Sequence, residues 1–116
     1  MKTPVITLPG DDYQRVKNGE ITRIVKPASG KLNLKVYDWI PIVFKDNIDN
    51  VMVEIEGIDF VMFKDLTLST ALKCGFNSVN ELKHNLVEHY PTLDNASRLY
   101  QYTFFVVGIS EKVGGE

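Results

Sequence analysis

The sequence predicts an α+β domain built on a small mixed β-barrel or strongly curved sheet, flanked by helices. Two observations predict it. Short runs with period-two alternation of apolar residues recur along the chain, whereas helical periodicity is concentrated in two adjacent segments between residues 67 and 90. The resulting order, β-α-β-β-β-α-α-β, lacks the regular helical crossovers of a doubly wound sheet. No strand-GxGxxG-helix and no phosphate-binding loop is present, so nucleotide-cofactor chemistry has no support in the sequence, and no cofactor is expected.

The elements follow in order. Val5–Leu8 reads as a short strand closed by Pro9-Gly10, a strong turn signal. Asp11 or Asp12 is placed to cap a helix over Tyr13–Asn18, with Tyr13 and Val16 on one face and Gly19 as a left-handed stop. Ile21–Val25 reads as a strand ended by Pro27, which has no amide hydrogen to donate. Leu32–Phe44 begins with strict alternation (Leu32, Leu34, Val36) and becomes more apolar, while Pro41 argues for an edge or a bulge. After a polar turn over 45–50, Val51, Val53 and Ile55 form a strand, Gly57 marks a bulge or turn, and Phe60–Phe63 resumes it.

The period then changes. Thr67–Cys74 reads as a short helix with Leu68, Ala71 and Leu72 on one side, stopped by Gly75. Ser78-Val79-Asn80-Glu81 is a capping box, opening a helix whose stripe is Val79, Leu82, Leu86, Val87 and Tyr90. Tyr100–Ile109 is a final strand, apolar on both sides and therefore central or covered on both faces. One domain is expected over residues 1–110, with 111–116 a flexible tail.

At 116 residues, 44% apolar and 24% charged, the composition is that of a small globular domain. The first ten residues do not read as a signal peptide, and no apolar run approaches a membrane span, so a cytoplasmic location is expected. The net charge of −2 hides a strong asymmetry. Residues 13–36 carry Arg15, Lys17, Arg23, Lys26, Lys31 and Lys35 against Glu20 alone, whereas 37–116 are acidic. Clustering of this kind is either an ordinary solvated surface or a local basic face able to attract phosphate.

Candidates for chemistry are few. His84 and His89 stand five apart on one helix, where metal-binding pairs are usually four apart, so no metal site is expected. His84 and Glu88 share a face and read as a surface pair. The only cysteine, Cys74, excludes an internal disulfide, and as a nucleophile it would need a histidine close in space. Glu54 and Glu56 share a strand face and would act as an acid–base pair only inside a pocket. Of Tyr37, Trp39, Phe60, Tyr100 and Tyr102, at most two are expected to be exposed in a pocket, where they would stack on a base.

The segment Tyr13-Gln14-Arg15-Val16-Lys17-Asn18-Gly19-Glu20-Ile21-Thr22-Arg23-Ile24-Val25-Lys26 resembles the opening of ASCH domains, which belong to the PUA-like superfamily. The resemblance continues at Tyr37-Asp38-Trp39-Ile40-Pro41-Ile42-Val43-Phe44, Phe63-Lys64-Asp65-Leu66 and Gly75-Phe76-Asn77-Ser78-Val79-Asn80-Glu81-Leu82. Tyr90-Pro91 before a terminal aromatic strand is similar to the small bacterial members that hydrolyse N4-acetylcytidine. The resemblance implies a PUA-like barrel with a cleft for RNA or a modified base. It also implies positions for a catalytic lysine, threonine and acid, which fall here on Ile21, Ile24 and Cys74 or Gly75. Isoleucine can be neither nucleophile nor proton shuttle, and neither Cys74 nor Gly75 is a carboxylate, so catalytic residues are expected to be none.

Three readings follow. The first is a non-catalytic module that binds RNA, single-stranded nucleic acid or a modified nucleoside through a basic cleft. Its expected residues are Arg15, Lys17, Gly19, Thr22, Arg23, Lys26 and Asp38, with Thr22 and Lys26 in the pocket and Arg23 on its rim. The second is an amidohydrolase or nuclease that uses other residues. The third is a regulator or inhibitor that meets a protein partner through the acidic 46–65 region.

Overall fold

The computed structural model describes residues 5–46 and 49–110. Its centre is one five-stranded mixed sheet. β1 (Ile6–Leu8) runs parallel to β3 (Trp39–Phe44), and β3 is antiparallel to β4 (Asn50–Met62). β4 is antiparallel to β5 (Arg98–Ser110), and β5 to β2 (Arg23–Pro27). The strand order is β1-β3-β4-β5-β2, so the two shortest strands lie at the two edges. The sheet curls into a half-barrel, as expected, with its open seam between β1 and β2. Helix α1 (Tyr13–Lys17) follows β1, and α2 (Leu68–Lys73) and α3 (Val79–His89) pack over β2 and β5.

Two apolar clusters hold this arrangement. Inside the curl, Ile6, Val16, Ile24, Ile40, Ile42, Val51, Val53, Ile55, Tyr102 and Phe104 are buried together. On the opposite face, Val25 and Leu99 meet Ala71 of α2 and Leu82 and Leu86 of α3. The alternation of β2 therefore sends Ile24 into one cluster and Val25 into the other. Burying each of these aliphatic side chains contributes about 1.5–3 kcal/mol. β5 is central and carries buried residues on both faces, as its composition predicts.

Several local expectations hold. Gly19 ends α1 with a φ of 78°. Ser78 Oγ accepts the Glu81 amide at 3.1 Å, and the Glu81 carboxylate reaches back to the Asn77 amide. Pro41 lies just beyond the pairing of β1, which begins at Ile42, so the β3 edge is open there.

Others are corrected. Asp12 stands at the N-terminus of α1 but its side chain makes no capping bond; it pairs with Arg15 instead. β2 starts at Arg23, two residues later than expected, because the Thr22 amide donates to the Lys73 carbonyl oxygen at 2.9 Å rather than to a strand. It runs through Pro27, which is tolerated because β2 is an edge. Residues 31–38 alternate like a strand but form an extended connection. The Tyr102 hydroxyl accepts the Leu32 amide at 3.0 Å and donates to the Leu32 carbonyl oxygen at 3.1 Å, and Tyr37 turns the chain with a φ of 78°.

β4 is continuous through Gly57, with a bulge between Ile55 and Gly57 that leaves Glu56 unpaired in the register. α2 buries Thr70 and Ala71, while Leu68 and Leu72 are half exposed. In α3, Val87 is exposed rather than part of the buried stripe. The expected tail over 111–116 and part of the 45–50 turn lie outside the described residues.

Candidate functional site

The seam of the half-barrel is occupied by a cleft of about 490 Å³. Thr7 and Leu8 of β1 line one side and Arg23–Lys26 of β2 the other. α3 contributes Glu81, Leu82, Asn85, Leu86 and His89, while Arg15 of α1 and Cys74–Phe76 of the α2–α3 junction close one end. The cleft thus exists because the sheet stops at β2. The Phe104 amide donates to the Thr22 carbonyl oxygen at 2.9 Å, which sets the phase of the β2–β5 ladder. Arg23, Val25 and Pro27 consequently direct their backbone groups away from β5, towards the open edge.

Two of the three cations in the cleft are held by the fold. Arg15 donates through Nη2 to the Gly75 carbonyl oxygen at 2.7 Å, and its Nη1 lies 3.6 Å from Asp12 Oδ1. Arg23 donates through Nη1 to Thr70 Oγ1 at 2.8 Å and through Nε to Thr103 Oγ1 at 3.2 Å. Thr70, 4% exposed, donates its own hydroxyl hydrogen bond to Gln101 Oε1 at 2.8 Å, so a buried polar chain orients the guanidinium. The Lys26 ammonium has no ion-pair partner among the described residues and is available to a ligand.

The acids and neutral groups come from elsewhere. Asp11, Asp12 and Glu81 line the cleft with the three cations, which makes it charge-balanced rather than uniformly basic. Burial pushes the Asp12 carboxyl above its ordinary range, against the pull of Arg15. His89 Nδ1 lies 2.9 Å from the Asn85 carbonyl oxygen, which can only accept, so Nδ1 carries the proton there. The Cys74 thiol is pushed up to about 12 by burial, which leaves it protonated and unreactive as a nucleophile at neutral pH.

Of the residues expected from sequence, Arg15, Arg23 and Lys26 meet in the cleft. Thr22 is not in its lining; its amide and carbonyl tie α2 to β5. Lys17 extends over the Tyr13 ring at 5.8 Å, and Gly19 turns the chain behind α1. Asp38 lies away from the cleft, where Oδ2 accepts the Lys35 amide at 2.8 Å and orders the turn before β3. Ile21 and Ile24 are 2% and 6% exposed and belong to the core, and both also line the cleft, as do Cys74 and Gly75.

Sequence reading missed Asp12, Glu81, Asn85, His89 and Tyr90 as cleft residues. A signal was present: Glu81, Asn85 and His89 recur every four residues beside the buried stripe of α3.

The remaining candidates lie elsewhere. His84 and Glu88 form an exposed pair at 3.6 Å. Glu54 accepts Trp39 Nε1 at 2.8 Å on the outer sheet face, so it is not half of an acid–base pair with Glu56. Three of the aromatics, Tyr37, Trp39 and Phe60, are exposed, and none of the five lines the cleft, which is within the expected limit of two. Among the described residues, no group of three or more His, Cys, Asp or Glu is placed to hold a metal. No helix among them is long and apolar enough to cross a membrane.

No family model matches the chain, and no curated protein matches it significantly. Solved structures do. The chain is similar to an ASCH domain from Lactobacillus crispatus (TM-score 0.71, 15% identity, covering 90% of this chain and 80% of that one). It is similar to a protein from Enterococcus faecalis (TM-score 0.69, 15% identity, 100% and 88% covered). It is also similar to the ASCH protein of Zymomonas mobilis (TM-score 0.65, 11% identity, 93% and 72% covered). The chain therefore has the fold of these ASCH domains, an α+β half-barrel. The resemblance read from its motifs and the likeness of its fold agree.

Proposed function

We propose that this chain is a non-catalytic PUA-like module that binds single-stranded RNA or a modified nucleoside in the seam cleft. The observation that carries this reading is the meeting of Arg15, Arg23 and Lys26, all from the basic 13–36 segment, in a cavity of about 490 Å³ whose walls mix apolar and polar side chains. Carboxylates and amides beside cations suit the mixed donors and acceptors of a base edge, and a free lysine suits a phosphate. Ile21 and Ile24 supply no nucleophile, and the protonated Cys74 thiol supplies none either, which supports binding without turnover.

The test is fluorescence anisotropy with single-stranded RNA across a salt series. Affinity is expected to fall with salt, and Lys26→Ala to reduce the slope by about 1. Asn85→Ala is expected to weaken binding without changing the slope. Absence of binding at low salt contradicts the reading, and product formed from acylated cytidines or RNA contradicts its non-catalytic part.

A further inference from the structure

A second basic and aromatic surface begins where the cleft ends. The β2–β5–β4 register sets Lys26 opposite Tyr100, and Tyr100 opposite Phe60. Residues directly opposed across a sheet share a face, so these three form one row about 10 Å long, two strand spacings. The same face one step inward is Ile24, Tyr102 and Ile58, which pack into the barrel core. The row therefore continues the core face to a point where solvent reaches it. Phe60 is 61% exposed and its ring centroid lies 4.9 Å from that of Tyr100.

Cations frame both rings. The Arg98 guanidinium carbon lies 5.7 Å from the Phe60 centroid, and Lys31 Nζ lies 5.1 Å from the Tyr100 centroid. Arg98 is two residues from Tyr100 on β5 and shares its face. The adjacent acid, Asp59, is opposite Gln101 and by alternation belongs to the other face. An exposed ring set among three cations, with the nearest strand acid turned away, has the composition of a surface on which bases stack while phosphates pair beside them.

We propose that Phe60 and Tyr100, with Lys31 and Arg98, form a stacking platform for the nucleotides of a single strand whose end occupies the cleft, with Lys26 at the junction. This rests on the cleft reading above and extends its ligand from a nucleoside to an oligomer.

The experiment compares a labelled oligouridylate of about eight nucleotides with uridine monophosphate, on the intact chain and its variants. Phe60→Ala is expected to weaken the oligomer about 5- to 100-fold, leaving the mononucleotide and the salt slope unchanged. Phe60→Trp is expected to retain oligomer affinity, and Arg98→Gln to lower the salt slope by about 1. Because Phe60 is largely exposed, an unchanged unfolding midpoint for Phe60→Ala shows that binding, not folding, is read. Oligomer affinity unmoved by both Phe60→Ala and Arg98→Gln overturns the platform, and if Asn85→Ala still weakens binding the cleft survives alone. Loss on Phe60→Ala with no effect of Asn85→Ala supports the platform and removes the cleft. An oligomer that binds no tighter than the mononucleotide overturns the platform.

Discussion

Arg15 reaches from α1 to the carbonyl oxygen of Gly75 at 2.7 Å, so the helix after β1 is tied to the junction of α2 and α3 across one end of the cleft. The bond is charge-assisted and connects residues sixty positions apart in sequence. It forms because Gly75 has a φ of 94° and lacks a β-carbon: a Cβ there would lie 2.9 Å from Ile21 Cδ1 and 3.2 Å from Arg15 Nη2.

Gly75→Ala is therefore expected to destabilise the fold. The left-handed conformation alone costs alanine about 1–2 kcal/mol, and displacement of Ile21 and Arg15 adds to it. Denaturant unfolding checks this, with a lower midpoint at an unchanged m-value. Gly19→Ala provides the comparison. It has a similar φ of 78° with nothing near its Cβ, and is expected to show the conformational cost without the steric one.

Thr70→Val keeps the shape of the side chain and removes the hydroxyl that links Arg23 to Gln101. Both partners lose a bond in a buried setting, at an expected cost of about 1–3 kcal/mol. Thr70 is not in the cleft lining, so weaker RNA binding by this variant reports the orientation of Arg23. Thr70→Ser, which restores the hydroxyl, is expected to recover that affinity.

Cys74 is expected to resist alkylation in the native protein at pH 8 and to react once the chain is unfolded, since burial holds its thiol pKa near 12. Mass-spectrometric counting of adducts with and without denaturant checks this. Cys74 is only partly buried and lines the cleft, so rapid native labelling would contradict the raised thiol pKa rather than the fold.

Asp12 gives a pH prediction. Its carboxyl is raised in the folded state above the ordinary 3.8, mainly by burial, with Arg15 opposing and Asp11 reinforcing the shift. The stability it contributes is thus present below its unfolded pKa and lost as pH rises through the folded value. Asp12→Asn is expected to match the wild type below pH 3.8 and to be the more stable of the two at neutral pH. Thermal melting of both proteins across that range checks the sign.

Much of the fold was legible because local patterns and tertiary packing agree. Tyr13 and Val16, the capping box at Ser78, the glycine stop at residue 19 and the two-sided β5 all read directly. Where they disagree, long-range bonds decide. The alternation of Leu32, Leu34 and Val36 looks like a strand, yet the Tyr102 hydroxyl takes both backbone groups of Leu32 and no ladder forms there. Leu68 and Leu72 look like a buried face, yet the buried Thr70 satisfies its hydroxyl on Arg23 and Gln101, and that orients α2 the other way. The cleft was half legible. The basic segment pointed to Arg15, Arg23 and Lys26, but a charge count along the chain does not show that Asp12 and Glu81 come to the same cavity. Strand phase placed Thr22 in the pocket, and the hydrogen bond that its amide donates to the Lys73 carbonyl oxygen takes it out of the strand.

The central claim is that the barrel seam between β1 and β2 is the ligand site. The most direct measurement is an amide chemical-shift map of the isotope-labelled chain titrated with single-stranded RNA at low salt. Shifts are predicted at the amides of Arg23–Lys26, Cys74–Phe76 and Asn85–Tyr90, reduced in Lys26→Ala. Shifts confined to the outer face around Trp39 and Glu54, or none at all, would contradict the claim.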